Sequence, residues 1–134
     1  MSLSNTTEAA ALDCFLRGTD PSYRAGATQY LAAFIADPGE TASLAAEADY
    51  TGYARVALTK SSAWTGTSSP YTNAALIQLG PCTAGTNALT HFAIVDTSSG
   101  AVAMMISGAL AATLNVSAGI QPQFAIGALS VSAD

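Results

Sequence analysis

The stretch Leu89–Leu110, LTHFAIVDTSSGAVAMMISGAL, decides the fold of this chain. Two apolar runs, HFAIVD and AVAMMIS, lie on either side of the polar residues 97–100. Gly100 can adopt the positive φ that a short loop between antiparallel strands requires. The stretch therefore predicts a hairpin of two buried strands joined by a four-residue turn. Asp96 is expected to anchor that turn through hydrogen bonds to nearby backbone.

Apolar alternation elsewhere in the chain predicts further short strands separated by turn residues. These strands are Thr28–Ile35, Gly52–Thr59, Thr72–Leu79, Thr113–Val116 and Phe124–Ala133. In the last of them the apolar parity changes at Gly127, which predicts a β-bulge or a tight bend. About eight strands without a repeating βαβ unit predict an all-β fold, an antiparallel jelly-roll-like β-sandwich over residues 28–133. We expect residues 1–134 to form a single domain.

The one predicted helix is Asn5–Arg17, at the start of the chain. Asn5 is expected to cap it, with Glu8 reaching back in a capping box, and Gly18 suits its C-terminal end. The helix has an apolar stripe at i, i+3 and i+4 spacing, made of Ala9, Leu12, Phe15 and Leu16. Two interpretations of this stripe are open: it covers one end of the sheet core, or it grips a neighbouring subunit.

The charge content of the chain is unusually low. Charged residues are 10% of the sequence, against about 25% in ordinary soluble proteins. Only four residues are basic and the formal net charge is -5, so the chain has no stripe that could neutralise phosphates. These values argue against a nucleic-acid partner. They predict either a surface committed to contacts with other protein chains or a monomer coated with Ser and Thr.

The sequence predicts no membrane partner and no secretory leader. The first ten residues lack a basic region followed by a long apolar run. The longest apolar run, residues 101–112, is interrupted by Ser107 and Gly108 and is too short to span a bilayer. We expect a soluble protein that is made in the host cytoplasm.

No constellation of residues predicts catalysis, a cofactor or a metal site. Cys14 and Cys82 lie far apart without ligand spacing, which indicates buried or free thiols, with a disulfide as the alternative. His91 is the only histidine and is interpreted as structural. The acidic segment Glu40–Asp49 lacks the spacing of a calcium loop and is predicted to be solvated.

Two polar positions have both a structural and an interface interpretation. Arg55 is predicted to lie on the outer face of its strand, either as an ion-pair partner for the acidic segment 40–49 or as a subunit contact. Trp64 stands alone among Ser and Thr residues at 60–70. It is expected either to pack against its own core or to lie at an interface, where aromatic residues are enriched.

Six stretches resemble a family of small structural proteins of tailed bacteriophages and prophages, often labelled tail fibre proteins. In order along the chain they are SNTTEAAALDCFLRG (4–18), YLAAFIADPGE (30–40), GYARVALT (52–59), THFAIVDTSSG (90–100), SGAL (107–110) and FAIGALSVSAD (124–134). Some members of this general kind are jelly-roll proteins on the outside of the head, where they cement the capsid lattice.

The resemblance implies a virion structural protein without enzymatic activity. The preferred function is capsid decoration: a homo-oligomer, dimer or trimer, that binds the major capsid protein on the capsid exterior and stabilises its lattice. The first alternative is a tail or tail-fibre component. The second, from another class, is a carbohydrate-binding module in which a sugar stacks on Trp64. The residues predicted to form the interface are Leu12, Phe15, Leu16, Arg55, Trp64 and Tyr71.

Overall fold

The computed structural model describes residues 2–132. Its helices are α1 (Asn5–Arg17) and α2 (Ser22–Ala25). Its strands are β1 (Ser2–Leu3), β2 (Thr28–Phe34), β3 (Val56–Thr59), β4 (Trp64–Thr65), β5 (Tyr71–Asn73), β6 (Ile77–Gln78), β7 (Asn87–Val95), β8 (Met105–Val116), β9 (Gln123–Phe124) and β10 (Ser130–Val131). Within this part of the chain, neither helix is long and apolar enough to cross a membrane.

The described strands form three sheets, in which every pairing is antiparallel. A five-stranded sheet has the order β1-β8-β7-β2-β3, a three-stranded sheet the order β10-β5-β4, and a two-stranded sheet pairs β6 with β9. The predicted antiparallel, mostly β architecture with a short N-terminal helix is confirmed. Sheets of five, three and two strands differ from the two four-stranded sheets of a jelly roll, and the jelly-roll topology is not confirmed.

The predicted hairpin is present as β7 and β8, in the middle of the five-stranded sheet. Val95 pairs with Met105, and Gly100 has the expected positive φ of 72°. The connection is longer than the four residues predicted, because Asp96 Oδ1 accepts hydrogen bonds from the backbone N–H groups of Ala103 (2.9 Å) and Met104 (3.0 Å). Asp96 therefore anchors the turn as expected and keeps the second strand from starting before Met105.

Strand β8 is a single strand as far as Val116, so the separate strand predicted at Thr113–Val116 is wrong. Its pairing with β7 changes register, since Leu89 pairs with Leu114 whereas His91 pairs with Ala109. Two steps along β7 thus correspond to five along β8, and the extra residues form a bulge. The alternation of apolar and polar residues does not reveal such a bulge, because a bulge interrupts the alternation in the same way as a break between two strands.

The central strands are buried on both faces. Leu31, Ala32, Ala33 and Phe34 of β2 are all 0% exposed. One face packs against the two small sheets, and its core includes Leu31, Ala33, Ile77, Leu79, Ile94, Phe124 and Leu129. The other face forms a smaller core covered by the segment 36–49 and by Val102. Burial on both sides explains why β2 and the second half of β7 read as continuous apolar runs.

A buried asparagine divides the strand predicted at Thr72–Leu79 into β5 and β6. Asn73 is 0% exposed, and its side chain donates to the carbonyls of Ala75 (2.8 Å) and Ala125 (2.9 Å). Its backbone carbonyl accepts from the N–H of Gly127, which has φ 76°. The bend predicted at Gly127 is confirmed, and the Ala133 end of that predicted strand lies outside the described residues. The strand predicted at Gly52–Thr59 begins only at Val56.

Two glycines let two loops approach each other at backbone distance. A Cβ on Gly80 would lie 1.9 Å from the carbonyl oxygen of Gly52, and a Cβ on Gly52 would lie 2.1 Å from the carbonyl oxygen of Pro81. Both atoms are backbone and cannot rotate away. The contact therefore excludes any side chain at either position.

We predict that Gly80→Ala lowers the free energy of unfolding by about 1–3 kcal/mol, as overpacking does. Gly26→Ala is the matched control, because a Cβ there would meet nothing closer than 3.9 Å and the φ of -68° suits alanine. Its effect should be zero or slightly stabilising. Urea denaturation of the two variants measures the difference, and equal effects would contradict the close contact.

Candidate assembly surface

Helix α1 begins after a serine cap. The Ser4 side chain accepts from the N–H of Thr7 (3.4 Å), and Asn5 is the first helical residue. The prediction that Asn5 caps the helix was wrong, because adjacent Ser and Asn residues are both good caps and their order does not distinguish them. The C-terminal end is as predicted, since Gly18 has φ 68° and its N–H donates to the carbonyl of Cys14.

The first turn of α1 is bound to the start of β8. The N–H of Ser4 donates to the carbonyl of Met105 (3.0 Å), and the N–H of Met105 donates to the Thr7 hydroxyl (3.0 Å). All residues of the helix are described, and Thr7 alone among them is buried. The helix is therefore held at its N-terminal end, while its later turns project from the sheets.

The apolar stripe of α1 faces solvent. Leu12 is 58% exposed, Phe15 83% and Leu16 79%. The interpretation that the stripe covers the sheet core is therefore wrong, and these three side chains are free to contact another molecule. Glu8 lies one turn before Leu12 on the same face. Its carboxylate makes no hydrogen bond or ion pair with any described residue.

Trp64 and Tyr71 meet at an open pocket of about 350 Å³ between the five-stranded and three-stranded sheets. Trp64 is half-buried and packs against the main core, whereas Tyr71 is 42% exposed. The pocket is lined by Gln29, Lys60, Trp64, Tyr71, Ile94, Ile106 and Val131. Trp64 and Tyr71, both predicted as interface residues, are thus brought together at this pocket. The other lining residues were not singled out from the sequence, because they converge only through strand register.

Lys60 gives this pocket a positive charge. Its ammonium donates to the backbone carbonyls of Tyr23 and Arg24 at the end of α2. Among the described residues, no carboxylate lies within ion-pair distance of it. This charge is thus held in place by carbonyl dipoles, and no carboxylate among residues 2–132 neutralises it.

Arg55 lies inside the protein, and its guanidinium forms five hydrogen bonds. Two go to the Glu47 carboxylate (2.7 and 2.8 Å), two to the carbonyl and hydroxyl of Thr97 (3.0 and 3.1 Å), and one to the carbonyl of Gly100 (3.0 Å). The Arg55 side chain is only 3% exposed. The ion pair with the acidic segment is confirmed. The predicted outer-face position was wrong, and Arg55 is not available as a surface contact.

Tyr53 completes this polar network. Its hydroxyl donates to Glu47 (2.8 Å) and accepts from the N–H of Ala33 (3.1 Å). Burial opposes ionisation of Glu47, but hydrogen bonds from Arg55 and Tyr53 and the charge of Arg55 outweigh it, so the pKa of Glu47 is below its usual value. Burial, followed by the hydrogen bond to Glu47, raises the pKa of Tyr53. Glu47 is therefore ionised and Tyr53 is neutral at pH 7.

The described residues bring together no group of three or more His, Cys, Asp or Glu side chains that could hold a metal ion. Cys14 and Cys82 are both free thiols in this structure. His91 Nδ1 lies 2.9 Å from the hydroxyl of Thr90. The candidate contact surfaces are the exposed apolar stripe of α1 and the pocket beside Trp64 and Tyr71.

Comparison with known protein families gives one match over almost the whole chain. The family model for Podophage GP4 fiber I protein gp80 matches residues 2–132. Among curated proteins, none matches the chain. The matched region includes both helices and every described strand.

We predict that Arg55→Ala lowers the free energy of unfolding by about 3 kcal/mol or more, because it leaves the largely buried Glu47 carboxylate without its charge partner. Arg17→Ala is the control: Arg17 also pairs with an acid, Asp13, but both side chains are at least half exposed. Its effect should stay within about 0.5 kcal/mol. Chemical denaturation at pH 7 tests this, and similar losses in the two variants would count against the network.

We also predict an acid-dependent loss of stability through Glu47. Its folded pKa is depressed, so its contribution is fully present above the unfolded pKa of about 4.3 and is lost as pH falls through the lower folded pKa. The stability advantage of the wild type over Glu47→Gln should therefore be constant near neutral pH and shrink below about pH 4.3. Denaturation curves from pH 7 to pH 3 measure this. A difference that does not depend on pH would contradict the assignment.

Proposed function

The chain belongs to the family of Podophage GP4 fiber I protein gp80, and from this premise we propose that it is a structural subunit of a phage fibre. Family membership supports a non-enzymatic structural role in the virion. The family description names a fibre and not a capsid. We therefore place the tail-fibre role ahead of decoration of the major capsid protein, the function that the resemblance in the sequence favours.

The surface supports a role in contacts between proteins. Three large apolar side chains of α1 are mostly exposed, at Leu12, Phe15 and Leu16. Charged residues are only 10% of the sequence, and the centres of protein interfaces are depleted of charge. An exposed apolar stripe on such an ion-poor chain favours assembly with other subunits over a solitary existence in solution.

Labelling of intact virions tests the location. Gold-conjugated antibodies raised against the purified chain should bind at the fibres of the phage that encodes it, as seen by negative-stain electron microscopy. Virions of an unrelated phage are the control. Label spread over the capsid shell would overturn the fibre role in favour of decoration. Purified virions that bind no label and contain no such chain by mass spectrometry would overturn both.

A further inference from the structure

We infer that one copy of the chain binds a second copy by placing the exposed stripe of its helix α1 in the second copy's aromatic pocket. The stripe is Leu12, Phe15 and Leu16, and the pocket is the cavity beside Trp64 and Tyr71. This inference rests on the proposed structural function. It adds the partner, another copy of the same chain, and the two surfaces that meet.

The two surfaces match in polarity. Phe15 is the most exposed large apolar side chain of the described residues, at 83%. The pocket has aliphatic side chains from the central hairpin, Ile94 and Ile106, and aromatic walls at Trp64 and Tyr71. Burying a projecting aromatic ring in such a cavity removes apolar area from water on both partners. Among the described residues, the stripe belongs to neither apolar core, and the pocket is open to solvent.

The two surfaces also match in charge. Glu8 lies on the stripe face of α1, and Lys60 lies at the pocket, where it contacts backbone carbonyls. Among the described residues, neither side chain has a partner of opposite charge. When the stripe enters the pocket, one negative and one positive side chain are brought to the same contact. Such complementarity selects the partner and the orientation in which it binds.

Direct pairing of two α1 helices is the less favourable arrangement. Pairing of two stripes would cover the three apolar side chains of each copy but would leave the apolar lining of both pockets in water. Parallel pairing would also place two Glu8 carboxylates together and leave the pocket empty. Docking of helix to pocket lets each copy use two separate surfaces, and so two contacts become possible for each chain.

A sugar suits the pocket less well than an apolar side chain does. Gln29, Lys60 and Tyr71 offer polar groups and Trp64 offers one indole N–H, but the remaining lining, Ile94, Ile106 and Val131, is aliphatic. Specific small-molecule sites place several polar groups to fix the orientation of the ligand. The aliphatic side of this pocket would leave the hydroxyls of a sugar without hydrogen-bond partners.

Two variants of the full chain change the stripe and the pocket one at a time. The association of each variant is measured by light scattering over a range of concentrations. Phe15→Ala removes the projecting ring, with Arg17→Ala on the polar side of the helix as its control. Gln29→Trp fills the pocket, and Gln29 has no described side-chain hydrogen bond to lose. Its control is Thr28→Trp, because the neighbouring strand residue points to the opposite side of the sheet.

Phe15→Ala and Gln29→Trp should each weaken association by about tenfold or more, and the two controls should leave it unchanged. An equimolar mixture of the two defective variants should associate again, because one supplies an intact helix and the other an intact pocket. Circular dichroism of each variant should match the wild type.

Three outcomes overturn the inference. The wild-type chain stays monomeric, or the Gln29→Trp variant associates as strongly as the wild type, or the mixture of the two variants does not recover association, as expected if two α1 helices pair with each other. These outcomes leave virion labelling untouched, so the fibre role can survive them. Conversely, virions without the chain would remove the fibre role even if the isolated protein associates as described.

Discussion

The ion pair between Arg55 and Glu47 is the interaction on which the rest of the structure depends most, because it ties together three segments that lie outside the named strands. Glu47 belongs to the loop that covers the second face of the five-stranded sheet, and Arg55 precedes β3. The remaining guanidinium donors bind Thr97 and Gly100 of the hairpin connection. With all five donors satisfied, the buried charge is compensated, and the covering loop and the hairpin are held to one geometry.

The small number of charged residues also determines the electrostatics of the surface. Of the four basic side chains, Arg55 is internal, and two others form exposed pairs with Asp13 and Asp20 four residues away. Lys60 is therefore the one basic side chain that has no carboxylate partner among residues 2–132. This ammonium group lies beside the aromatic pocket and makes the electrostatic potential there more positive.

The sequence predicted those elements that depend on interactions between residues close together in the chain. The helix Asn5–Arg17 and the glycine turn of the hairpin follow from spacing, caps and backbone freedom. The division of the strand at Asn73 and the bulge in β8 do not, because both depend on bonds to residues distant in sequence. The pocket was not predicted, although two of its residues, Trp64 and Tyr71, were singled out. Trp64 is conspicuous in a polar loop, whereas Ile94 and Ile106 look like ordinary core residues.

In α1, the residues that attach the helix to the sheet are different from the residues of the exposed apolar stripe. Its first turn is bonded to β8 through Ser4 and Thr7, but its apolar stripe contributes nothing to the core. Exposed apolar side chains on a helix stabilise a protein little unless something covers them, and they promote non-specific association. The sheets close their own core without the stripe, so the apolar character of Phe15 and its neighbours is not required by the fold and is explained by the contact proposed above.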